Sequence, residues 1–229
     1  MRTAKFVTGV FCEPSETFHL IDAQPARGAL IPFVLTLLFP AALLFTYYQS
    51  VNIEWLQDHL MAGVDAAQRD GMRAMLSRNF MLITGILGLF LTMPLFNGLF
   101  ALYFFLIAKV RNLPQGYGKW FGFVAWCSLP VLLLLPIGLF NVLTSPTGQI
   151  LPEELNAVSL NQLWFHFPAD SAWKTMFESI SLISIWSTAL MVLGYRAWAK
   201  STLESALAVV LTPNLIVYGT WAGLIVLAS

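Results

Sequence analysis

Charge is almost absent from five long stretches of this chain and concentrated between them. The stretches run from about Ala29 to Tyr48, Phe80 to Ala108, Trp120 to Leu143, Ser179 to Trp198 and Ala206 to Leu227. Each reaches roughly the 20 residues a helix needs to cross the hydrocarbon core, where backbone groups must satisfy one another. The second exceeds that length, so tilt, a kink at Pro94 or extension beyond the bilayer is expected. The composition agrees: 58% of the 229 residues are hydrophobic and 10% are charged, against about 25% charged in an ordinary soluble domain. The fold class expected is all-α, an integral membrane bundle of five transmembrane helices. Pro32, Pro40, Pro94, Pro130, Pro136 and Pro213 place bends in four of the five spans.

Lysine and arginine orient the bundle. With the N-terminus inside, the inner side carries Arg2, Lys5, Arg27, Lys109, Arg111, Lys119, Arg196 and Lys200, and the outer side Arg69, Arg73, Arg78 and Lys174. The excess predicts N-terminus in and C-terminus out, in the inner (cytoplasmic) membrane of a cell. The first residues contain no apolar run suited to a cleaved signal peptide, so the first span is expected to act as the insertion signal.

Short amphipathic helices are expected at the N-terminus and in both outer loops. Phe6, Val7, Val10 and Phe11 share one helical face. In "EPSETFHLID", Pro14 opens a second helix with Phe18 and Ile21 on one side. Residues 1–28 therefore read as a cytoplasmic amphipathic segment lying on the inner leaflet, and residues 29–229 as the membrane domain. In the first outer loop Trp55, Leu56, Leu60, Met61 and Val64 recur at near-helical spacing. In the second, Pro152 and two acids open a helix in "LPEELNAV".

The chemistry-bearing residues are sparse. No acid lies in the middle of a span, and His19, His59 and His166 all lie outside them, although an ionisable group inside the membrane is the usual mark of a proton relay or ion-coupled site. HExxH, CxxC, a nucleophile elbow and a phosphate-binding loop are all missing. No catalytic residue, metal site or cofactor is predicted, and the zero net charge points to no nucleic-acid partner. An outer-side site using Asp58, His59 and Asp65 is disfavoured because adjacent helical residues diverge by about 100°. Cys127 reads as a small packing residue and Cys12 as a free thiol beside the membrane, open to acylation. Asn97, Asn141 and Asn214 are the intramembrane polar residues. They either hydrogen-bond across helices and to carbonyls freed by the prolines, or line a polar cavity.

Gly116-Tyr117-Gly118 matches the tripeptide of potassium filters, but Leu113-Pro114-Gln115 precedes it instead of Thr-Val, and Lys109, Arg111 and Lys119 surround it. A filter needs carbonyls aligned on a pore. The loop instead reads as an inner-face hairpin, with Gly116 and Gly118 reversing the chain and Tyr117, Lys119 and Trp120 anchored at the headgroups. Lys109, Arg111, Gly116, Tyr117, Gly118, Lys119 and Trp120 form the candidate interaction loop.

Three pieces carry a family resemblance: "FCEPSETFHLIDAQPARGALIPFVLTLL" with its Pro-x-x-x-Phe lead-in, "GYGKWFGFVAWCSLPVLL", and the Ala-rich "SALAVVLTPNLIVYGTWAGLIVL" with its central proline. Together with the five-span layout they resemble the Yip family of Ypt/Rab-interacting membrane proteins, in its bacterial branch. The resemblance implies a membrane protein of the vesicle-trafficking superfamily without enzymatic chemistry. The Asp-Leu-Tyr-Gly-Pro stretch of eukaryotic members is missing, so Rab binding is not expected. The partners expected are the lipid bilayer and a membrane protein or a second copy of the chain. The function expected is that of a scaffold or adaptor, the alternative a passive or weakly selective transporter or channel.

Overall fold

A computed structural model describes residues 2–228. Within that range the side chains of residues 2–4, 27, 29, 66, 67 and 70 are outside the description, so Arg2 and Arg27 of the inward charge excess are not placed. The described chain is an all-α bundle with five helical passages long and apolar enough to cross a membrane. Helices α1 (Arg2–Cys12) and α2 (Pro14–Asp22) precede the first span, α3 (Leu30–Ser50). Helices α4 (Ile53–Leu60) and α5 (Ala66–Met75) lead to the second span, α6 (Arg78–Val110). The third span is composite: α7 (Tyr117–Cys127), a 3₁₀ stretch over Leu129–Leu133, then α8 (Leu134–Thr144). After a long loop with α9 (Trp173–Ser179) come the fourth span, α10 (Leu182–Ala199), and the fifth, α11 (Leu203–Ala228).

Local chemistry explains the ends. Asn52 opens α4 by accepting the Trp55 N–H on its side-chain oxygen. Ser181 and Ser184 exchange hydroxyl and backbone bonds to form a capping box at the start of α10,. Pro130, which lacks an N–H, falls where the third span changes from α to 3₁₀ geometry,. Pro94 sits inside α6, which continues as one helix of 33 residues, longer than expected at both ends. The acid-rich turn after Pro152 is 3₁₀ rather than α, over Pro152–Asn156. Its geometry is set by neighbours: Glu154 folds back to accept the Leu151 N–H, and its carbonyl accepts the Asn141 side-chain amide.

The third span is the most enclosed passage, 44% buried, against 17% for α6 and for α11, whose outer faces are left to lipid. Around it lie two apolar clusters. One gathers Phe104, Trp120, Phe123, Leu190, Tyr195 and Val210 with Val10, Phe18 and Ile21 of the N-terminal helices. The other, at the end carrying the long loops, joins Leu43, Tyr47 and Val51 to Leu56, Val142, Ile150 and Leu155. There Arg78 donates to the carbonyls of Tyr48 and Val51, closing the C-terminus of α3, and the Tyr47 hydroxyl donates to the Ile150 carbonyl at 2.8 Å.

The N-terminal helices depart from expectation in one respect. Their apolar faces are those the spacing indicates, but they are covered by protein rather than laid on a leaflet. Phe18 is fully buried. Phe6 meets Trp126 edge to face and Phe11 meets Trp186 in the same way. The close approach depends on Gly194 of α10, where a Cβ would stand 2.6 Å from the Phe123 ring and 3.0 Å from the Phe18 ring. The Trp198 indole N–H then donates to the Phe18 carbonyl at 2.9 Å.

Candidate functional site

The turn joining α6 to α7 lies at the bundle end shared with α1 and α2, called here the basic end. The chain reverses at Asn112, whose φ is 55°, a left-handed conformation that asparagine tolerates,. Leu113 N–H returns to the Ala108 carbonyl at 2.8 Å. The Gly-Tyr-Gly tripeptide is therefore a helix start and not the reversal: Gly116 is the N-cap of α7, with φ −78°, and Tyr117 and Gly118 are already helical. The Tyr117 hydroxyl reaches the Gly98 carbonyl of α6 at 3.3 Å.

Lys119 and Trp120 do not face headgroups. The Lys119 ammonium donates to the backbone carbonyls of Asp22, the last residue of α2, and Gln24, just beyond it, and lies 3.8 Å from the Asp22 carboxylate and 5.8 Å from the Trp198 ring centroid. It closes the C-terminus of α2 as Arg78 closes that of α3, the charge a helix C-terminus favours. Beside it the Gln115 amide donates to the Asp22 carboxylate at 3.2 and 3.3 Å. Trp120 is fully buried. It stacks on Phe104 with centroids 5.6 Å apart and packs against Trp198 at 5.2 Å and Phe123 at 5.3 Å. A tryptophan three residues from Phe123 on one helix face has a core to join, and joining it outweighs the interface preference.

What stays outward is smaller. Lys109 lies over the Phe105 ring at 5.2 Å, and Arg111 donates to the Ser205 hydroxyl at 2.7 Å while reaching over Tyr195. Val110 is 80% exposed and Tyr117 42%. Lys109, Val110, Arg111, Gly116, Tyr117 and Gly118 thus form a basic, partly apolar surface on a seam riveted by Lys119 and Gln115. Asp22, Gln24 and Trp198 complete that seam. Their spacing along the chain carries no trace of it, since they meet residues more than 70 positions away.

The three intramembrane asparagines separate. Asn97 is buried, donates to the Phe121 carbonyl of α7 at 3.2 Å and borders a cavity of about 160 Å³ between the first four spans. Asn214 reaches the Val210 carbonyl of its own helix at 3.4 Å and borders a cavity of about 280 Å³ with Ser128, Ser187 and Thr188. Met93, Phe100, Ser128 and Met191 line both cavities. Asn141 joins neither and binds the Glu154 carbonyl in the long loop at 2.8 Å. The proline in α11 finds its partner elsewhere. Pro213 cannot donate to the Val209 carbonyl, and that carbonyl accepts the Tyr103 hydroxyl of α6 at 2.7 Å.

At the opposite end Asp58 pairs with Arg73 at 3.0 Å and His59 stacks on Trp55, so the two adjacent residues serve different neighbours. Lys174 bonds Glu153 at 2.8 Å and lies 3.7 Å from Glu178. The Glu153 hydrogen bond leads the causes that raise the Lys174 ammonium above its ordinary pKa. Of the cysteines, Cys12 is exposed and Cys127 buried.

The Yip1 domain family model matches residues 8–224. No curated protein and no solved structure matches the chain.

Proposed function

We propose, from the premise that this chain belongs to the Yip1 domain family, that it is a non-enzymatic scaffold or adaptor. It holds a partner membrane protein, or a second copy of itself, against its basic end. The observation that carries this reading is the construction of that end. Two N-terminal helices, the α6–α7 turn and the start of α11 are bound into one rigid surface by Lys119, Gln115, Trp198 and Arg111. Lys109, Val110 and Tyr117 are left outward on it. Rigid placement of exposed basic and aromatic groups suits recognition, because little ordering cost remains to be met on binding. The positive charge there supports N-in, C-out insertion in the inner membrane, with this surface in the cytoplasm.

A photo-crosslinking residue at Val110 or Tyr117, compared with one at Leu163 in the opposite long loop, tests the proposal in native membranes. A discrete adduct specific to the first two positions is expected, either a defined protein or a dimer. Equal, diffuse labelling at all three positions counts against it. A fluorescent reporter fused to either terminus tests the orientation.

The paired cavities beside Asn97 and Asn214 favour a second reading, passive or weakly selective transport. It requires solute flux in proteoliposomes that falls on Asn97→Leu or Asn214→Leu, and no flux for ions or small solutes removes it.

A further inference from the structure

A cavity of about 390 Å³ opens at the basic end between α2 and the end of α10, lined by Ser15, His19, Leu193, Arg196, Lys200 and Ser201. We propose that it binds a phosphate group, carried by an anionic lipid headgroup or by a soluble phosphate. This deepens the scaffold reading and rests on the basic end being the working face.

Four observations converge. The first is uncompensated charge. Among the described residues Arg73, Lys119 and Lys174 have carboxylate partners within 4.0 Å; Arg69, Arg78 and Arg111 are held by carbonyl or hydroxyl oxygens instead, whereas Arg196 and Lys200, which share one cavity, have neither kind of partner. Both are exposed and line the same cavity, Arg196 from the last turn of α10 and Lys200 from its left-handed C-cap. Of the acids on α2, Glu16 lines a different cavity with Lys5 and Cys12, and Asp22 is taken by Gln115 and Lys119.

The second is an orphaned donor. The Ser201 hydroxyl is buried at the cavity wall with no hydrogen-bond partner. Buried polar groups are normally satisfied, so one beside two free cations marks a place for acceptor oxygens.

The third is rigidity. Trp198 donates to the Phe18 carbonyl, and Gly194 lets α2 close onto α10, so Ser15 and His19 are held opposite Arg196 and Lys200. The fourth is depth. Arg196 and Lys200 lie at the end of a membrane-crossing helix, where lipid phosphates lie, and basic pockets at such helix ends suit phosphorylated headgroups,. Arginine adds a planar fork that matches phosphate oxygens.

Full-length protein in neutral detergent is titrated with short-chain phosphatidic acid, phosphatidylcholine of equal chain length, and inorganic phosphate, with occupancy read by native mass spectrometry. Phosphatidic acid is expected to bind in preference to phosphatidylcholine. Arg196→Gln with Lys200→Gln should weaken it about 25-fold, taking about fivefold per charge removed. Lys5→Gln, outside the cavity, should change it less than twofold. Ser15→Asp should weaken binding as well, and an acid in the first turn of α2 favours the helix, so the fold is retained. Tight binding of inorganic phosphate, lost in the same variants, assigns the site to a soluble phosphate; lipid binding without it assigns the headgroup. The proposal is overturned if phosphatidylcholine binds as well as phosphatidic acid, or if Lys5→Gln weakens binding as much as Arg196→Gln with Lys200→Gln does. Crosslinking from Val110 is an independent readout. Lipid failure with crosslinks retained removes only the pocket, and loss of crosslinks with lipid binding intact removes only the scaffold.

Discussion

The bond between Tyr103 and the Val209 carbonyl exists because of Pro213, and that dependence can be measured. In an uninterrupted α11 the N–H of residue 213 would take the Val209 carbonyl. Proline has none, and the Tyr103 hydroxyl of α6 takes it at 2.7 Å. Tyr103→Phe removes the donor and leaves a carbonyl in apolar surroundings without a partner. An unsatisfied buried acceptor costs about 1–3 kcal/mol, while side-chain hydrogen bonds between membrane helices average about 0.6 and reach about 1.7 kcal/mol. Tyr103 is half-buried, so a loss of about 1–1.5 kcal/mol is expected, where those two ranges overlap. Pro213→Ala restores the N–H, and in that background the same Tyr103→Phe should cost about 0.5 kcal/mol or less, since the carbonyl is satisfied within its own helix. The assay is reversible unfolding in mixed micelles of rising dodecyl sulfate, applied to the four proteins of a double-mutant cycle. Effects of Pro213→Ala on the helix alone cancel in the coupling energy. Equal cost of Tyr103→Phe in both backgrounds would refute the reasoning.

Three more perturbations follow from the same geometry. Gly194→Leu forces a side chain into space held by Phe18 and Phe123; a loss of about 1–3 kcal/mol is expected, with α1 and α2 newly open to limited proteolysis. Lys119→Met removes the cap on α2 and should cost about 1–2 kcal/mol, typical of charge-assisted bonds to a partly exposed group, with Cys12 labelling faster by a membrane-impermeant maleimide. At the long-loop end, Glu153 and Glu178 hold Lys174 charged above its ordinary value of 10.5. A raised folded pKa means that stability is fully present below the unfolded value and lost as pH rises through the folded one. The melting-temperature gap between wild type and Lys174→Met should therefore hold steady from about pH 7 to 9.5 and shrink above 10.5,; a gap that grows with alkalinity reverses the sign and removes the ion pair.

The five spans were legible because apolar length is a local property, and so were the apolar faces of α1 and α2. What lay beyond the sequence was the identity of the apolar medium. Phe18 and Ile21 show the same periodicity whether they meet lipid or Trp198, and only the tertiary arrangement separates the two. Trp120 and Lys119 misled for the same reason: beside a basic loop both look like headgroup anchors, but their partners Phe104, Trp198 and the carbonyls at 22 and 24 are brought in by the fold. The glycines at 116 and 118 suggested a turn that Asn112 makes. The asparagine alternatives also divided by place. Asn97 satisfies a carbonyl across helices and borders a cavity, whereas Asn141, near the end of α8, donates to a carbonyl of the long loop, a difference of depth that residue type alone does not encode.

Because the Phe18 carbonyl is held by Trp198, a segment made well before the fourth span finds its place only after that span exists. Phe18 must wait through 180 further residues, roughly 10–40 s of synthesis at 5–20 residues per second. Throughout that interval two short greasy helices wait with their seat not yet made. A chain built this way carries its own completeness check: the N-terminus latches only onto a fourth span that has been threaded correctly, and a stalled or mis-threaded product keeps Phe6, Phe11 and Phe18 on display to whatever surveys nascent membrane proteins.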